Sequence, residues 1–224
     1  MPVTHFSTIQ QDIISDLRTE ICLDDGSSKL VLYESEIAKR YGVSRTPVRH
    51  VLQYLAQTQM VTTQHGVGTV VVPLEEDKRS ADFRAYAAIS KACSLFLAGV
   101  EMRKQLVVDI SSLQTWVTLL DSRSTEEFLL LNKRVAEILT SMVPDELLQH
   151  AYSAAHWRLI RWRVRDIRQH GDLPWIKLEE RLAEAIKIAQ TRNAANLMAL
   201  AAQIGNEGQE TADDVLAKQF KIVV

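Results

Sequence analysis

Two arginines in the first quarter of the sequence have the type and spacing needed to bind nucleic acid. Arg45 and Arg49 are four residues apart, so a helix would carry both on one face. A guanidinium group donates two hydrogen bonds to a guanine edge or grips a phosphate. Thr46, His50 and Gln53 share the same outward arc. Taken alone, this pattern fits a solvated helix face as well as a DNA contact.

Residues around these arginines predict two short helices joined by a tight turn. The first helix runs from about 34 to 41 and is stopped by Gly42, where a left-handed cap is favoured. Ser44 is a good N-cap for the second helix, in whose first turn Pro47 is acceptable. The second helix is expected to turn its apolar residues inward: Val48, Val51, Leu52 and Leu55.

A hairpin is predicted directly after these helices. Two β-rich runs, 60–63 and 69–72, flank a turn that contains glycine. Upstream, a capping box at Ser7 and Gln10 begins another helix, and 29–32 is a candidate short strand. This order of elements is that of a winged helix-turn-helix, whose second helix enters the major groove of DNA.

In this setting DNA contact is favoured over a solvated face. The second helix would present its N-terminal residues to base edges. Lys39 and Arg40, at the end of the preceding helix, would hold the flanking backbone. His65 and Gly66, at the tip of the wing, would reach an adjacent minor groove. The candidate DNA-binding residues are Lys39, Arg40, Ser44, Arg45, Thr46, Arg49, His50, Gln53, His65 and Gly66.

Bulk composition sets limits on this interpretation. The 224-residue chain has a formal net charge of −2, so nucleic-acid binding must rest on the local placement of arginine and lysine. Cys22 and Cys93 lie in separate apolar stretches and are predicted to be buried thiols of a reducing compartment. No signal-peptide pattern is present, and no apolar run reaches the roughly 18 residues that a membrane span needs. The sequence therefore predicts a cytoplasmic protein without membrane attachment.

Helical periodicity dominates from about residue 74 onward, which marks the clearest domain break. The predicted helices are 76–104, 105–121, 125–142, 145–170, 174–191, 193–204 and one near 210–220. Their short connections imply neighbouring antiparallel helices in one bundle. The expected fold is mainly α. A winged helix-turn-helix DNA-binding domain at 1–74 precedes an all-α antiparallel helical bundle at 75–224, which would bind an effector and dimerise.

An arginine-rich stretch is the most unusual part of this helical region. Arg158, Arg161, Arg165 and Arg168 recur at three and four residues and form one stripe on a helix. Facing outward, the stripe is a solvated face or pairs with acids at a dimer interface. Facing inward, one or two arginines would clamp a carboxylate or phosphate of an effector. Because four arginines cannot all be buried without partners, we expect a partly exposed stripe from which Arg161 or Arg165 reaches a ligand cavity.

The helix-turn-helix residues also carry a family resemblance. The run from Tyr41 to Arg49, followed by Leu52, Leu55 and the wing at 66–70, is similar to the GntR family of bacterial regulators. The resemblance covers roughly the first third of the chain and implies a winged helix-turn-helix. The DNA contacts it implies are Arg45, Thr46, Arg49, His65 and Gly66.

Two positions depart from the pattern of that family. Ser35 stands where relatives often carry another arginine, and His50 stands where glutamate usually follows the second arginine. The operator sequence of relatives therefore does not transfer to this chain.

The helical region resembles the FadR-type subgroup of the same family. Many members of that subgroup hold a divalent metal with an aspartate, a histidine four residues later and two further histidines. The matched positions in this chain are Asn132, Ala136, Glu179 and Ala201. No histidine remains among them, so we expect no metal and no cofactor. The same matching places Asn132 and Glu179 in the lining of an effector cavity, which completes the expected set with Arg161 and Arg165.

These patterns favour a ligand-responsive transcriptional regulator. It is expected to bind double-stranded operator DNA as a homodimer, to act as a repressor, and to respond to a small molecule such as an organic acid or another anionic metabolite. An enzyme is disfavoured, since no nucleophile–base pair, phosphate loop or metal quartet follows residue 74. One alternative stays open: a DNA-binding dimer whose C-terminal domain only dimerises and senses no ligand.

Overall fold

The computed structural model describes residues 6–26 and 28–205 of the chain. The chain divides into two compact units between Leu74 and Glu75. None of the helices in the described ranges is long and apolar enough to cross a membrane. The helix predicted near 210–220 lies outside the described residues.

The first unit combines helices with a small antiparallel sheet. Its described helices are α1 (Thr8–Leu23), α2 (Glu34–Tyr41) and α3 (Arg45–Gln57). Its strands are β1 (Val31–Leu32), β2 (Val61–Gln64) and β3 (Gly68–Val71), which pair in the order β1-β3-β2. The predicted winged helix-turn-helix is therefore confirmed, with β2 and β3 as the hairpin wing.

Local sequence signals account for the ends of these helices. At the start of α1, the backbone N–H of Ser7 donates to Oε1 of Gln10 at 3.0 Å, as in a capping box. Gly42 follows α2 with a φ of 64°, the left-handed conformation predicted for it. α1 packs against α3, and Leu17 and Leu55 are among the fully buried residues of the two helices. This core fixes α3 with its polar arc toward solvent.

The second unit is a helical bundle throughout its described part. Its helices are α4 (Glu76–Phe96), α5 (Lys104–Thr118), α6 (Thr125–Met142), α7 (Glu146–His170), α8 (Leu173–Gln190) and α9 (Ala194–Ala202). α7 packs against α4, α6 and α8, while α4 also packs against α9, and α5 packs against α6 and α8. The predicted all-helical region is confirmed over these residues.

The largest difference from the predicted helices is the end of α4. Periodicity predicted one helix over 76–104, whereas α4 ends at Phe96. Gly99, with a φ of 78°, interrupts the helix because a left-handed residue cannot continue a right-handed one. Leu97 and Met102 are buried on either side of the break, and their spacing extended the apolar pattern across it.

Buried polar groups join α4 to α7. Arg79 donates through both terminal nitrogens to the carboxylate of Asp166, at 2.7 and 2.8 Å. Asp82 accepts a hydrogen bond from Nε1 of Trp162 at 2.8 Å and also pairs with Arg158. Because buried polar groups need hydrogen-bond partners, these two acids are well satisfied where they stand.

Candidate nucleic-acid interface and helical-domain cavity

The arc of α3 that is predicted to meet DNA is exposed to solvent. The apolar residues of this helix are buried, as predicted: Val48, Val51, Leu52 and Leu55. The polar candidates at and after its N-terminus are all exposed: Ser44, Arg45, Thr46, Arg49, His50 and Gln53. The first backbone N–H groups of a helix have no partner within the helix and can donate to a phosphate. The N-terminal half of α3 can therefore offer both side-chain and backbone donors to a groove.

Arg49 is held by an acid that the sequence patterns did not single out. Its Nε and one terminal nitrogen donate to the two carboxylate oxygens of Glu34, the first residue of α2, at 3.0 and 2.9 Å. These hydrogen bonds lower the pKa of Glu34, and the nearby charge of Arg45 acts in the same direction. An exposed ion pair of this kind is weak, so Arg49 can exchange Glu34 for a base or a phosphate. The only hint of this pair in the sequence was an acidic residue in the first turn of α2. The hint was weak, because the dipole of any helix favours an acid at that position.

The flanking candidates lie at the surface of the same unit. Lys39 and Arg40 are exposed at the end of α2, and Arg40 pairs with Glu20 at 3.0 Å. His65 and Gly66 are exposed in the turn between the wing strands, where Gly66 has a φ of 74°. A residue without a side chain adopts that conformation at little cost and leaves room for a close approach. All the predicted DNA-binding residues are therefore accessible.

The second unit has a cavity among its helices that is partly open to solvent. About 90 Å³ of it is open to the centre of a water-sized sphere, which is room for several water molecules or one small organic molecule. Every helix from α4 to α9 contributes to its wall, and sixteen of the 21 described lining residues are apolar. The cavity therefore favours a ligand whose body is largely apolar.

Five polar residues interrupt this apolar wall: Tyr86, Asn132, His156, Arg163 and Arg181. Nε2 of His156 is 3.3 Å from the backbone oxygen of Asn132, and its ring centroid is 5.6 Å from that of Tyr86. Burial lowers the pKa of Arg163 to about 10 and that of Arg181 to about 9. The charge of Arg163 also lowers the pKa of Arg181, because like charges disfavour one another in a space of low polarity.

The structure places one of the four effector residues expected from the sequence at the wall of this cavity. Asn132 lines the cavity, whereas Arg161, Arg165 and Glu179 do not. The guanidinium carbon of Arg165 lies 4.2 Å from the ring centroid of Trp162 instead. With 3.6 residues per turn, Arg161 and Arg165 fall on the side of α7 opposite to its cavity-facing residues. The stripe is partly exposed, as expected, but the arginine of α7 that reaches the cavity is not one of its members.

The arginines that do reach the cavity have a signal in the helical periodicity. The cavity-facing residues of α7 are His156, Leu159, Ile160 and Arg163. Those of α8 are Pro174, Leu178, Arg181, Leu182 and Ala185. On α8 a single arginine interrupts an apolar row, and on α7 Arg163 lies in a row with two apolar residues and His156. A charged residue in such a row indicates a cavity-facing position better than a dense charged stripe does, because arginine is rarely buried without a reason.

The residues matched to the metal ligands of the FadR-type subgroup do not fit a metal ion. Ala136 and Ala201 have no donor atom in their side chains, and Nδ2 of Asn132 donates within its own helix. Glu179 accepts a hydrogen bond from Arg123 at 2.7 Å. Within the described ranges, no group of three or more histidine, cysteine, aspartate or glutamate side chains could hold a metal ion.

The first unit combines a helix-turn-helix, whose second helix is exposed and carries arginines, with a hairpin wing. These features define a DNA-binding protein of the winged helix-turn-helix class. Residues 9–71 match the family described as "Bacterial regulatory proteins, gntR family". The first unit therefore carries a DNA-binding domain of the GntR family, as expected of a transcriptional regulator. This family consists of regulators and not of enzymes, as predicted. The match ends at residue 71, so the FadR-type subgroup stays a prediction.

Two solved structures share the fold over most of the chain. E. coli McbR/YncC aligns with a TM-score of 0.64 and 14% identity, over 96% of this chain and 99% of that protein. A GntR protein from Rhodococcus sp. RHA1, described as a transcriptional regulator, aligns with a TM-score of 0.55 and 16% identity, over 88% and 92% of the two chains. No curated protein sequence is similar enough to count as a match. At these identities the similarity establishes the fold alone.

Proposed function

We propose that the chain is a repressor that binds operator DNA as a homodimer and releases it when a small molecule occupies the cavity of the second unit. The proposal rests on one combination: an exposed helix that is predicted to bind DNA and a largely apolar cavity among the helices of the second unit. Dimers of this class bind two half-sites about 34 to 36 Å apart, so two copies are needed for a full operator. The binding of DNA and the binding of the small molecule would be linked by a coupling free energy of about 1 to 3 kcal/mol.

The exposed candidates fall into three groups according to the contact proposed for each. Arg45 and Arg49 would contact base edges, because a guanidinium group can pair with guanine through two hydrogen bonds. Lys39 and Arg40 would bind the phosphate backbone and fix the position of the domain. The other candidates would add hydrogen bonds in the major groove or at the wing: Ser44, Thr46, His50, Gln53, His65 and Gly66.

Lys39→Ala is expected to weaken binding to all DNA sequences to the same extent. A phosphate contact carries no sequence information, and its loss also lowers the slope of log affinity against log salt by about one. The measurement is fluorescence anisotropy on a selected operator and on an unrelated duplex, over a range of salt concentrations. Lys91→Ala, an exposed substitution in α4, is the control and should change neither quantity. A selective loss on the operator would instead assign Lys39 to base recognition.

The second candidate function, a DNA-binding dimer with no sensor, is less well supported. A helical unit that only dimerises gains nothing from an unfilled cavity, since empty space between helices forfeits packing contacts. A bound ligand would restore those contacts.

Residues 75–224 expressed alone are expected to dimerise, whereas residues 1–74 are expected to be monomeric and to bind a full operator weakly. A closed dimer needs a surface that pairs with itself, and the larger helical unit is the proposed place for it. Light scattering on both fragments and on the full chain measures the oligomeric state. A monomeric helical fragment beside a dimeric full chain would contradict this assignment of the interface.

Effector control is tested on DNA selected from random sequences by the full chain. Metabolites that raise the melting temperature are then added to the protein–DNA complex, and anisotropy reports the affinity. The coupling proposed above corresponds to a drop in affinity of about 5- to 150-fold. If every compound that stabilises the protein leaves its DNA affinity unchanged, the proposed repression by a ligand is wrong.

A further inference from the structure

We propose that Glu34 is a specificity-determining residue, which lets Arg49 pair with a base of the operator and hinders its pairing with a phosphate. Glu34 would not contact DNA itself and would act as a positioning residue, through the guanidinium group of Arg49. The inference rests on the DNA-binding part of the proposed function. It adds a residue whose effect is to weaken binding to unrelated DNA.

The pair between Glu34 and Arg49 uses only one edge of the guanidinium group. Nε of Arg49 donates to Oε1 of Glu34 at 3.0 Å, and Nη2 donates to Oε2 at 2.9 Å. The adjacent edge consists of Nη1 and the second hydrogen of Nη2, and it has no hydrogen-bond partner among the residues that the structure describes. This edge can donate two hydrogen bonds. Arg49 can therefore bind a pair of acceptors without leaving Glu34.

The arginine is the outer member of this pair. The side chain of Arg49 is 57% exposed, and that of Glu34 is 32% exposed. Glu34 begins α2, Arg49 lies in the first half of α3, and the two helices pack against each other through a core that includes Ile37 and Val48. This packing holds the acid beside the arginine before DNA arrives. Groups that are oriented in advance lose little entropy on binding.

A guanine base and a phosphate make different demands on such a pair. Guanine presents two neutral acceptors, O6 and N7, which match the free edge of Arg49. A phosphate carries a full negative charge, and a guanidinium group is smaller than the Debye length of about 8 Å at physiological salt. A phosphate on the free edge would therefore be repelled by the carboxylate of Glu34, or it would have to displace that carboxylate. A guanine base needs to do neither.

The two arginines of α3 differ in how their charges are balanced. The pKa of Glu34 is lowered mainly by the hydrogen bonds from Arg49 and to a smaller extent by the charge of Arg45, so the acid is ionised at neutral pH. Arg49 is thus paired with a full negative charge, whereas Arg45 forms no ion pair with any residue in the described ranges. Attraction to the phosphates of any sequence would then come mainly from Arg45 and its cationic neighbours. Arg49 would contribute mainly to base recognition.

Glu34→Gln tests the charge, because it keeps the size of the side chain and one acceptor oxygen. We expect the affinity for an unrelated duplex to rise about two- to fivefold and its dependence on salt to steepen by about one in the slope of log affinity against log salt. The affinity for a selected operator should change less, so the ratio of the two affinities falls. Fluorescence anisotropy on the full chain measures both.

The matched control is Glu36→Gln, which removes the same charge from an exposed position of the same helix. It should change both affinities by the same factor and leave their ratio as in the parent. If Glu34→Gln lowers the ratio no more than Glu36→Gln does, the inference is wrong.

Two further variants test whether Arg49 carries the effect. In an Arg49→Ala background, Glu34→Gln should not lower the ratio further, because the pair is already absent. Arg49→Lys keeps the charge and loses the two donor edges, so it should lose preference for the operator and keep its affinity for unrelated DNA. Arg40→Lys is the control and should keep both. A further fall in the Arg49→Ala background, or an undiminished preference in Arg49→Lys, would overturn the assignment.

These outcomes are distinct from a failure of the proposed function. The measurements use no effector, so a chain whose DNA affinity no ligand alters would contradict the proposed repressor and leave the role of Glu34 intact. If the full chain selects no operator, the proposed function fails and the unrelated duplex decides alone. An affinity of Glu34→Gln for that duplex no higher than that of Glu36→Gln would then overturn the inference. Circular dichroism reports the fold, and Arg49→Lys provides the test if Glu34→Gln does not fold.

Discussion

Replacing Arg45 and Arg49 together by alanine is expected to abolish sequence-specific DNA binding and leave the protein folded. Each guanidinium group that pairs with guanine contributes about a 5- to 150-fold preference for the correct base, so the double variant should bind a selected operator no better than unrelated DNA. Both side chains are exposed, and the core of the first unit does not include them. Anisotropy on both duplexes gives the ratio of affinities, and circular dichroism reports the fold.

The control for this pair removes the same charge elsewhere. Arg84 and Arg168 are exposed arginines of the second unit, so their double alanine variant loses two positive charges without touching α3. It should retain the preference for the operator. If the Arg45/Arg49 double variant keeps the affinity of the parent for the operator, α3 is not the recognition helix.

Asp82→Ala is expected to cause the largest loss of stability among the substitutions considered. Its carboxylate is buried, accepts from Nε1 of Trp162 at 2.8 Å and pairs with Arg158. Removing it leaves an indole N–H and a half-buried guanidinium group without this acceptor, and breaking a buried pair in this way costs about 3 to 5 kcal/mol. For a chain of this size that corresponds to a fall of about 6 to 20 °C in the melting temperature.

Two related variants test the reason for that loss. Asp82→Asn keeps an acceptor for Trp162 and removes the charge, so its stability should fall between those of the parent and the alanine variant. Glu76→Ala breaks a second contact between α4 and α7, with Arg165, but Glu76 is largely exposed and the expected change is under about 1 kcal/mol. Thermal or urea unfolding measures all three. Equal losses of stability in Asp82→Ala and Glu76→Ala would show that the burial of the acid does not determine how much stability its removal costs.

Much of the first unit follows from its sequence because its signals are local. Gly42 ends a helix through its own backbone freedom, and Ser44 takes the N-cap position of the next helix with an extended backbone. The pair between Glu34 and Arg49 was not predictable in the same way. It joins residues from two helices, and its formation depends on the angle at which those helices pack.

The helical unit shows where reasoning from spacing fails. Its helices were predictable from periodicity, except where Gly99 interrupts an apolar pattern. The cavity arginines were missed because the prediction followed the charged stripe, and the spacing of a stripe shows which residues share a face and not which way that face points. Arg161 and Arg165 share a face, but the packing of α7 directs Arg163 to the cavity. Orientation of a helix is a tertiary property, set by all its neighbours at once.

Phe83 joins two features that have been described separately. Its ring lies 5.9 Å from the guanidinium carbon of Arg163, which lines the cavity, and 5.1 Å from that of Arg79, which is bonded to Asp166. α4 is also the first helix after the division between the two units. A rearrangement of Arg163 would therefore disturb, through one aromatic ring, the first turns of the helix that continues the chain from the DNA-binding domain.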